Sequence, residues 1–257
     1  MPPLESFPGL HAWLGTPLGR HVLDWEQARM DERVSDIFGY NAVQLGIPEA
    51  DFLKANRMPL RFRAGAGAVQ VQASQDALPF AASSLDLVVL PHVLEFASNP
   101  HQVLREVERV LVPEGSVVIS GFNPFSLFGL RRLLAGRSGV YPWHGQYLSQ
   151  RRLKDWLTLL SFETHAQTSG CFIPAVEQQQ WIDRLALVNR AGERWWPIAG
   201  GVYIIHAIKR AHGMRLIMPK WERKAGARAL APLVQKSGGP DRDCSRKNTS
   251  ESDFGRD

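Results

Sequence analysis

Cysteine is scarce in this 257-residue chain. Cys171 and Cys244 are its only two, too few for a disulfide framework or a cysteine-based metal site. Long apolar runs are missing as well, none reaching the roughly 18 residues that a membrane-spanning helix requires. The opening "MPPLESFPGL" has neither a basic leader region nor a continuous apolar core. A secretory signal is therefore not expected, and cytoplasmic residence is. There is no HExxH pair, no GxSxG elbow and no GKS/T loop, which removes zinc-protease, serine-hydrolase and P-loop readings. No cluster of side chains suggests a metal, and there are no internal repeats.

Positive charge is the next thing the body of the chain lacks. The formal net charge is +5, but the segment from Lys209 onward holds twelve Lys/Arg and six Asp/Glu. The preceding residues carry 18 basic and 19 acidic groups. The basic character belongs to the tail, so the folded body has no composition suited to holding nucleic acid.

What is present is α/β patterning. "SSLDLVVLPHVLEF" contains a continuous apolar strand, Leu85 to Leu90, of the kind buried on both faces of a parallel sheet. "NPHQVLREVERVL" predicts a helix with Asn99 as N-cap, Pro100 in its first turn and Val103, Leu104, Val107, Val110 and Leu111 along one face. "PEG" then turns into the strand "SVVISGF", completing a right-handed βαβ unit. Earlier, the chain to about Gly19 reads as a surface-packed extension, followed by an imperfect helical stripe through Val22, Leu23, Trp25, Met30, Val34, Ile37 and Phe38. Ala42 to Leu45 is a short strand candidate, and "PEADFLKANRM" predicts a helix beginning at Pro48 or Glu49.

"LRFRA" and "AVQVQA" are strands separated only by "GAG". That is too short for an ordinary crossover, so they form either a hairpin or a βαβ unit that has lost its helix. Later come an aromatic segment from Asn123 to Tyr147, a helix capped by Ser149, a strand "ETHAQTSG", a helix "AVEQQQWIDRLALVNRAG" and a last strand, Val202 to Ile208. Three regions result: an N-terminal extension and helix (1–38), an α/β domain (39–211) and a basic tail (212–257). The tail is expected to be disordered, with a short helix open in "KWERKAGARAL".

The central block resembles class I S-adenosylmethionine-dependent methyltransferases of the small-molecule type. The resemblance rests on Leu78-Pro79-Phe80, Leu85-Asp86-Leu87-Val88-Val89, His92-Val93-Leu94-Glu95-Phe96, Leu104-Arg105-Glu106, Arg109-Val110-Leu111 and Pro113-Glu114-Gly115. It implies a Rossmann-like, seven-stranded, mostly parallel sheet flanked by helices, its last strand antiparallel. Here the region between the second and third strands is shortened.

It also implies S-adenosyl-L-methionine at the carboxyl ends of the first strands and methyl transfer to an acceptor. A small molecule is the favoured acceptor, and nucleic acid through the basic tail is not favoured. Laid on the family's first glycine motif, Gln44 takes the acidic place and Gly46 matches, while Ile47, Pro48 and Glu49 depart from it. Pro48 removes a backbone donor. The second strand ends without an acid, and Ser74 stands where an adenine-contacting acid is usual, with Asp76 two residues on. The cofactor-contacting residues implied are Gln44, Gly46, Ser74, Gln75, Asp76, Leu78, Leu90 and His92. His92 is also the candidate base, with Tyr141 and His144 on the acceptor side. The alternative is a scaffold of the same fold that binds or regulates without catalysing.

Overall fold

The computed structural model describes residues 8–135, 142–172 and 199–210. The chain divides into one unit of Met1–Gly213 and another of Met214–Asp257, and everything described lies in the first. The helix read at 175–192, the tail from 212, its short helix and Tyr141 lie outside the described residues.

Two helices open the described chain, α1 (Pro8–Leu14) and α2 (Pro17–Val34). Of the segment to about Gly19, read as a surface-packed extension, residues 8–19 fold as α1 and the first turn of α2, with Leu10, Trp13, Leu14 and Leu18 in the core. Thr16 caps α2, its hydroxyl accepting from Gly19 N at 3.1 Å, and Pro17 occupies the first turn where no N–H is needed. A Cβ at Gly19 would stand 2.1 Å from the Trp13 carbonyl oxygen, so only glycine lets α2 turn this tightly off α1. Leu18, Val22, Glu26, Met30 and Val34 form the buried row of α2, four residues apart. Phe38, expected in that stripe, is exposed.

The strands are β1 (Asn41–Leu45), β2 (Leu60–Gly65), β3 (Val71–Gln72), β4 (Leu85–Pro91), β5 (Leu111–Phe122), β6 (Phe162–Gly170) and β7 (Val202–Lys209). Between them run α3 (Pro100–Val110), α4 (Leu127–Ala135) and α5 (Gln150–Leu159). They make one seven-stranded sheet in the order β3-β2-β1-β4-β5-β7-β6. β7 runs antiparallel to both neighbours, and the other pairings are parallel. The hairpin alternative is settled: β3 pairs parallel to β2 through Ala64–Val71 and Gly65–Gln72. A short loop replaces the crossover helix, turned by Gly65 (φ +140°) and Gly67 (φ +93°).

The helix expected from Pro48 is absent, and residues 48–56 form turns. Side chains take over the hydrogen bonds a helix would have made. Gln44 serves Ile47, Ala50 and Phe52. Asn56 donates to the Val34 and Ile37 carbonyls and accepts from Met58 N. Arg61 donates to the Asn56 carbonyl at 2.6 Å.

Two buried clusters flank the sheet. One joins α1, α2 and the turns after β1 to Leu87, Val89, Val118 and Phe122. The other joins α3 and α5 to Val43, Val88, Leu90 and Ile119. The carboxyl ends of β1, β2, β4 and β5 lie along one edge, as their parallel pairing requires.

Candidate functional site

The turn after β1 is built around Gln44, which is fully buried. Its amide nitrogen donates to the carbonyls of Ile47 (3.0 Å) and Ala50 (2.7 Å), and its oxygen accepts from Phe52 N (2.9 Å). A carboxylate can only accept, so it could not make the two donations. Glutamine in the acidic place therefore follows from the shape of this loop. Gly46 has φ +74°, and a Cβ there would stand 2.9 Å from Val93 Cγ2. Ile47 also has positive φ, +32°. Arg63 of β2 donates to the Pro48 carbonyl at 2.7 Å. A Cβ at Gly65 would stand 3.5 Å from Gly46 N, so the ends of β1 and β2 approach backbone to backbone.

The turn between β3 and β4 carries Ser74, Gln75 and Asp76. Ser74 bridges to Ala77. Asp76 Oδ2 accepts from the Ser98 hydroxyl at 3.4 Å, while Oδ1 is buried with no hydrogen-bond partner. The next residues are clamped by α3. Arg109 donates to the carbonyls of Leu78 and Phe80, each at 3.0 Å, and Glu106 accepts from Leu78 N at 3.1 Å. The Leu78-Pro79-Phe80 and Arg109 motifs are thus two halves of one contact. Leu78 is buried, and Leu90 is a core residue on the sheet face opposite α2.

His92 follows β4 directly, with φ +52° and 1% exposure. Its Nδ1 lies 2.8 Å from Glu95 Oε2 and its Nε2 lies 2.9 Å from Glu26 Oε1. The Glu26 contact is an ion pair whose alignment falls short of a hydrogen bond, since neither Glu26 oxygen nor Nε2 gains a hydrogen-bond partner. Glu95 Oε1 accepts from Phe122 N, tying the turn to the end of β5. Phe122 packs on the imidazole, with ring centroids 4.2 Å apart. Burial pulls the His92 pKa down, but the two carboxylates outweigh it and hold the pKa up at about 10. Burial first, and the Glu95 charge second, push the hydroxyls of Tyr147 and Tyr203 upward.

His144 stands half-buried, its ring 5.5 Å from that of Phe96. Among the described residues, no set of three or more His, Cys, Asp or Glu is placed to hold a metal ion. The residues that sequence reasoning missed are Glu26 and the role of Glu95. The signal for Glu26 is its position. It stands in the same four-residue row as Leu18, Val22, Met30 and Val34, the one charge on a buried face.

Comparison with known proteins agrees with this fold. The model of a methyltransferase domain family matches residues 30–119. Residues 30–119 are thus similar to a methyltransferase domain, and the sheet has the class I methyltransferase fold. The chain is 33% identical over 155 residues to the uncharacterized protein YafS of Escherichia coli K12, covering 59% of this chain and 64% of that one. An uncharacterized Mycobacterium tuberculosis protein is 28% identical over 122 residues, covering 44% and 42%. The chain thus spans less than two thirds of these curated relatives.

Among solved structures, the complex of the Haloferax volcanii Trm112 methyltransferase activator with a putative methyltransferase gives a TM-score of 0.58 at 17% identity, covering 81% of this chain and 99% of that one. A Thermotoga maritima methyltransferase, described as a possible histamine N-methyltransferase, gives 0.51 at 15%, covering 74% and 97%. At these identities the likeness is one of fold.

Proposed function

We propose that the methyltransferase domain binds S-adenosyl-L-methionine along the carboxyl edge of β1, β2 and β3 and transfers its methyl group to a small-molecule acceptor in the cytoplasm. The observation that carries this reading is the Asp76 carboxylate. Its Oδ1 is buried without a partner on the turn after β3, and a buried oxygen in that state calls for a donor such as the adenine amine. The rest of the edge fits the cofactor unevenly. Gly46 and Gly65 leave the backbone bare where the methionine and ribose ends would lie. No acid follows β2, so the ribose would be held by backbone groups of Gly65, Ala66 and Gly67.

When bound, the cofactor supplies an electrophilic methyl group on a sulfonium. The chain's part is to hold the two reactants in line and keep water away. His92 is enclosed and held protonated between two carboxylates, so it acts as a positioning residue and does not take the acceptor's proton. Tyr141 and His144 remain the acceptor-side residues we propose.

A second reading, a binding scaffold without catalysis, draws on the same locked His92 and on Pro48, which removes a donor from the cofactor loop. Incubating the full chain with methyl-labelled cofactor and a small-molecule cell extract separates the two. The enzyme reading expects label in the low-mass fraction. Cofactor binding without any transfer would favour the scaffold.

A further inference from the structure

The face of β7 toward α2 carries a group of side chains that the carboxyl edge does not use. Val202, Ile204 and His206 alternate along that face, and the first two join the apolar core. His206 is 8% exposed, and its Nε2 lies 3.1 Å from the Ser116 hydroxyl of β5. Its partners across the sheet are Val118 of β5 and Ala166 of β6. The register of β6 shifts between Thr164 and Ala166, which makes His165 an extra residue in an edge strand. Plain alternation would point His165 to the opposite face from Ala166. The bulge re-aims it, and its ring stands 5.3 Å from that of His206. Two residues on, Thr168 pairs with Ile204, and its hydroxyl accepts from Arg33 in the last turn of α2 at 2.9 Å.

The nearby acids are engaged elsewhere. On α2, Asp31 is paired with Lys54 and Glu32 with Arg29. Asp36 is exposed beside the Ser35 hydroxyl. Glu114 and Glu163 both pair with Arg210. Among the described residues, the hydrogen bonds of Arg33 and His206 go to hydroxyls, those of Thr168 and Ser116. Burial first, and then the charges of His165 and Arg33, pull the His206 pKa down to about 4. Groups that are cationic, or can become so, are gathered here with no acid among them. An anion would offset that repulsion.

The donor set selects the anion. The Arg33 guanidinium is a planar fork of N–H donors suited to two oxygens at once. Two imidazoles and two hydroxyls add donors from β5, β6 and β7. Donors arriving from several directions fit a tetrahedral oxyanion better than a carboxylate, which offers only two oxygens.

We infer that Arg33, His165 and His206 bind a phosphate group between the last turn of α2 and strands β6 and β7. The site is separate from the carboxyl edge. Val118, the partner of His206, stands four residues before the end of β5, roughly 13 Å along the strand. The inference goes beyond methyl transfer and does not depend on cofactor binding.

The full chain, isotope-labelled in histidine, is followed by nuclear magnetic resonance of its imidazoles at pH 7. It is titrated with inorganic phosphate and, separately, with glycerol phosphate, with chloride at matched ionic strength as the control. Saturable movement of the His206 and His165 signals is expected, while the His92 signal stays in place. Arg33→Met should weaken the binding at least about tenfold, and His165→Ala about threefold. His165 is exposed, so His165→Ala should leave the melting temperature unchanged, and it decides the matter if Arg33→Met unfolds the chain.

Tighter binding of glycerol phosphate would assign the site to phosphate monoesters, and tighter binding of inorganic phosphate to the free ion. Both support the inference. Equal movement with chloride would reduce the effect to ionic screening and overturn it. Binding unaltered by either variant, or no saturation by about 10 mM phosphate, would overturn it too.

Discussion

Replacing Glu95 by alanine should destabilise the fold by about 3–5 kcal/mol, the magnitude typical when one partner of a buried ion pair is removed. Glu95 is 3% exposed and holds two groups at once, the imidazole of His92 and the amide of Phe122. Without it a buried imidazolium keeps only Glu26, and a strand-end N–H loses its acceptor. Glu95→Gln retains an oxygen for Phe122 N but not the charge, so it should cost less. Equilibrium denaturant unfolding at pH 7 measures both. A loss under about 1 kcal/mol for the alanine variant would mean that the cluster is solvated.

The same cluster fixes a pH dependence. His92 has its folded pKa raised from 6.5 to about 10. Its contribution is therefore fully present below the unfolded value and is lost as pH rises through the folded one. Stability should fall between about pH 6.5 and pH 10, and Glu26→Gln should flatten that fall.

The second large effect is expected where the chain departs from the methyltransferase motif it resembles. Gln44→Glu introduces the acid that the resemblance implies at this place, yet it should destabilise this chain by about 3 kcal/mol. The introduced carboxylate would face the Ile47 and Ala50 carbonyls, at present 3.0 and 2.7 Å from a donating amide, with Phe52 N as its one donor. Protonation would restore one donation, so the loss should shrink as pH is lowered. Thermal unfolding across pH 5–8 follows this. A neutral or stabilising outcome would mean that the loop carbonyls do not turn in toward position 44.

How much of this could be read beforehand differs from element to element. The β4–α3–β5 unit was legible because each signal agreed locally. An apolar run and a capped helix with Pro100 at its start fell in order. The turn expected at Pro113-Glu114-Gly115 is instead an irregularity within β5, where the pairing with β4 shifts register between Leu111 and Ser116. The helix expected after Pro48 looked equally good by local rules. It is replaced by turns because Gln44, Asn56 and Arg61 reach its backbone from outside, and no window of residues 48–58 shows that. The β2–β3 connection was ambiguous in principle, since its loop fits either strand direction until the positive φ angles of Gly65 and Gly67 are known.

The site was legible at the level of position, less so of role. Gly46 and Asp76 lie on the turns after β1 and β3, Asp76 two residues beyond the place the resemblance gives an acid and with an unpartnered oxygen. His92 was found from its place after a buried strand. Its two carboxylate partners were not, because Glu26 arrives from a helix read as an imperfect stripe, and 66 residues separate it from His92 in the chain. Long-range pairing of buried charges leaves little trace in a sequence beyond an acid on an otherwise apolar face.

The central claim is that the worn glycine loop still closes a cofactor site. Titration calorimetry of the full chain with S-adenosyl-L-methionine, and separately with its demethylated product, tests it most directly. Saturable, one-to-one binding of both is predicted, weakened by Asp76→Ala. Absence of binding at about 1 mM ligand, weaker than about −4 kcal/mol, would contradict it and leave the methyltransferase fold without its cofactor.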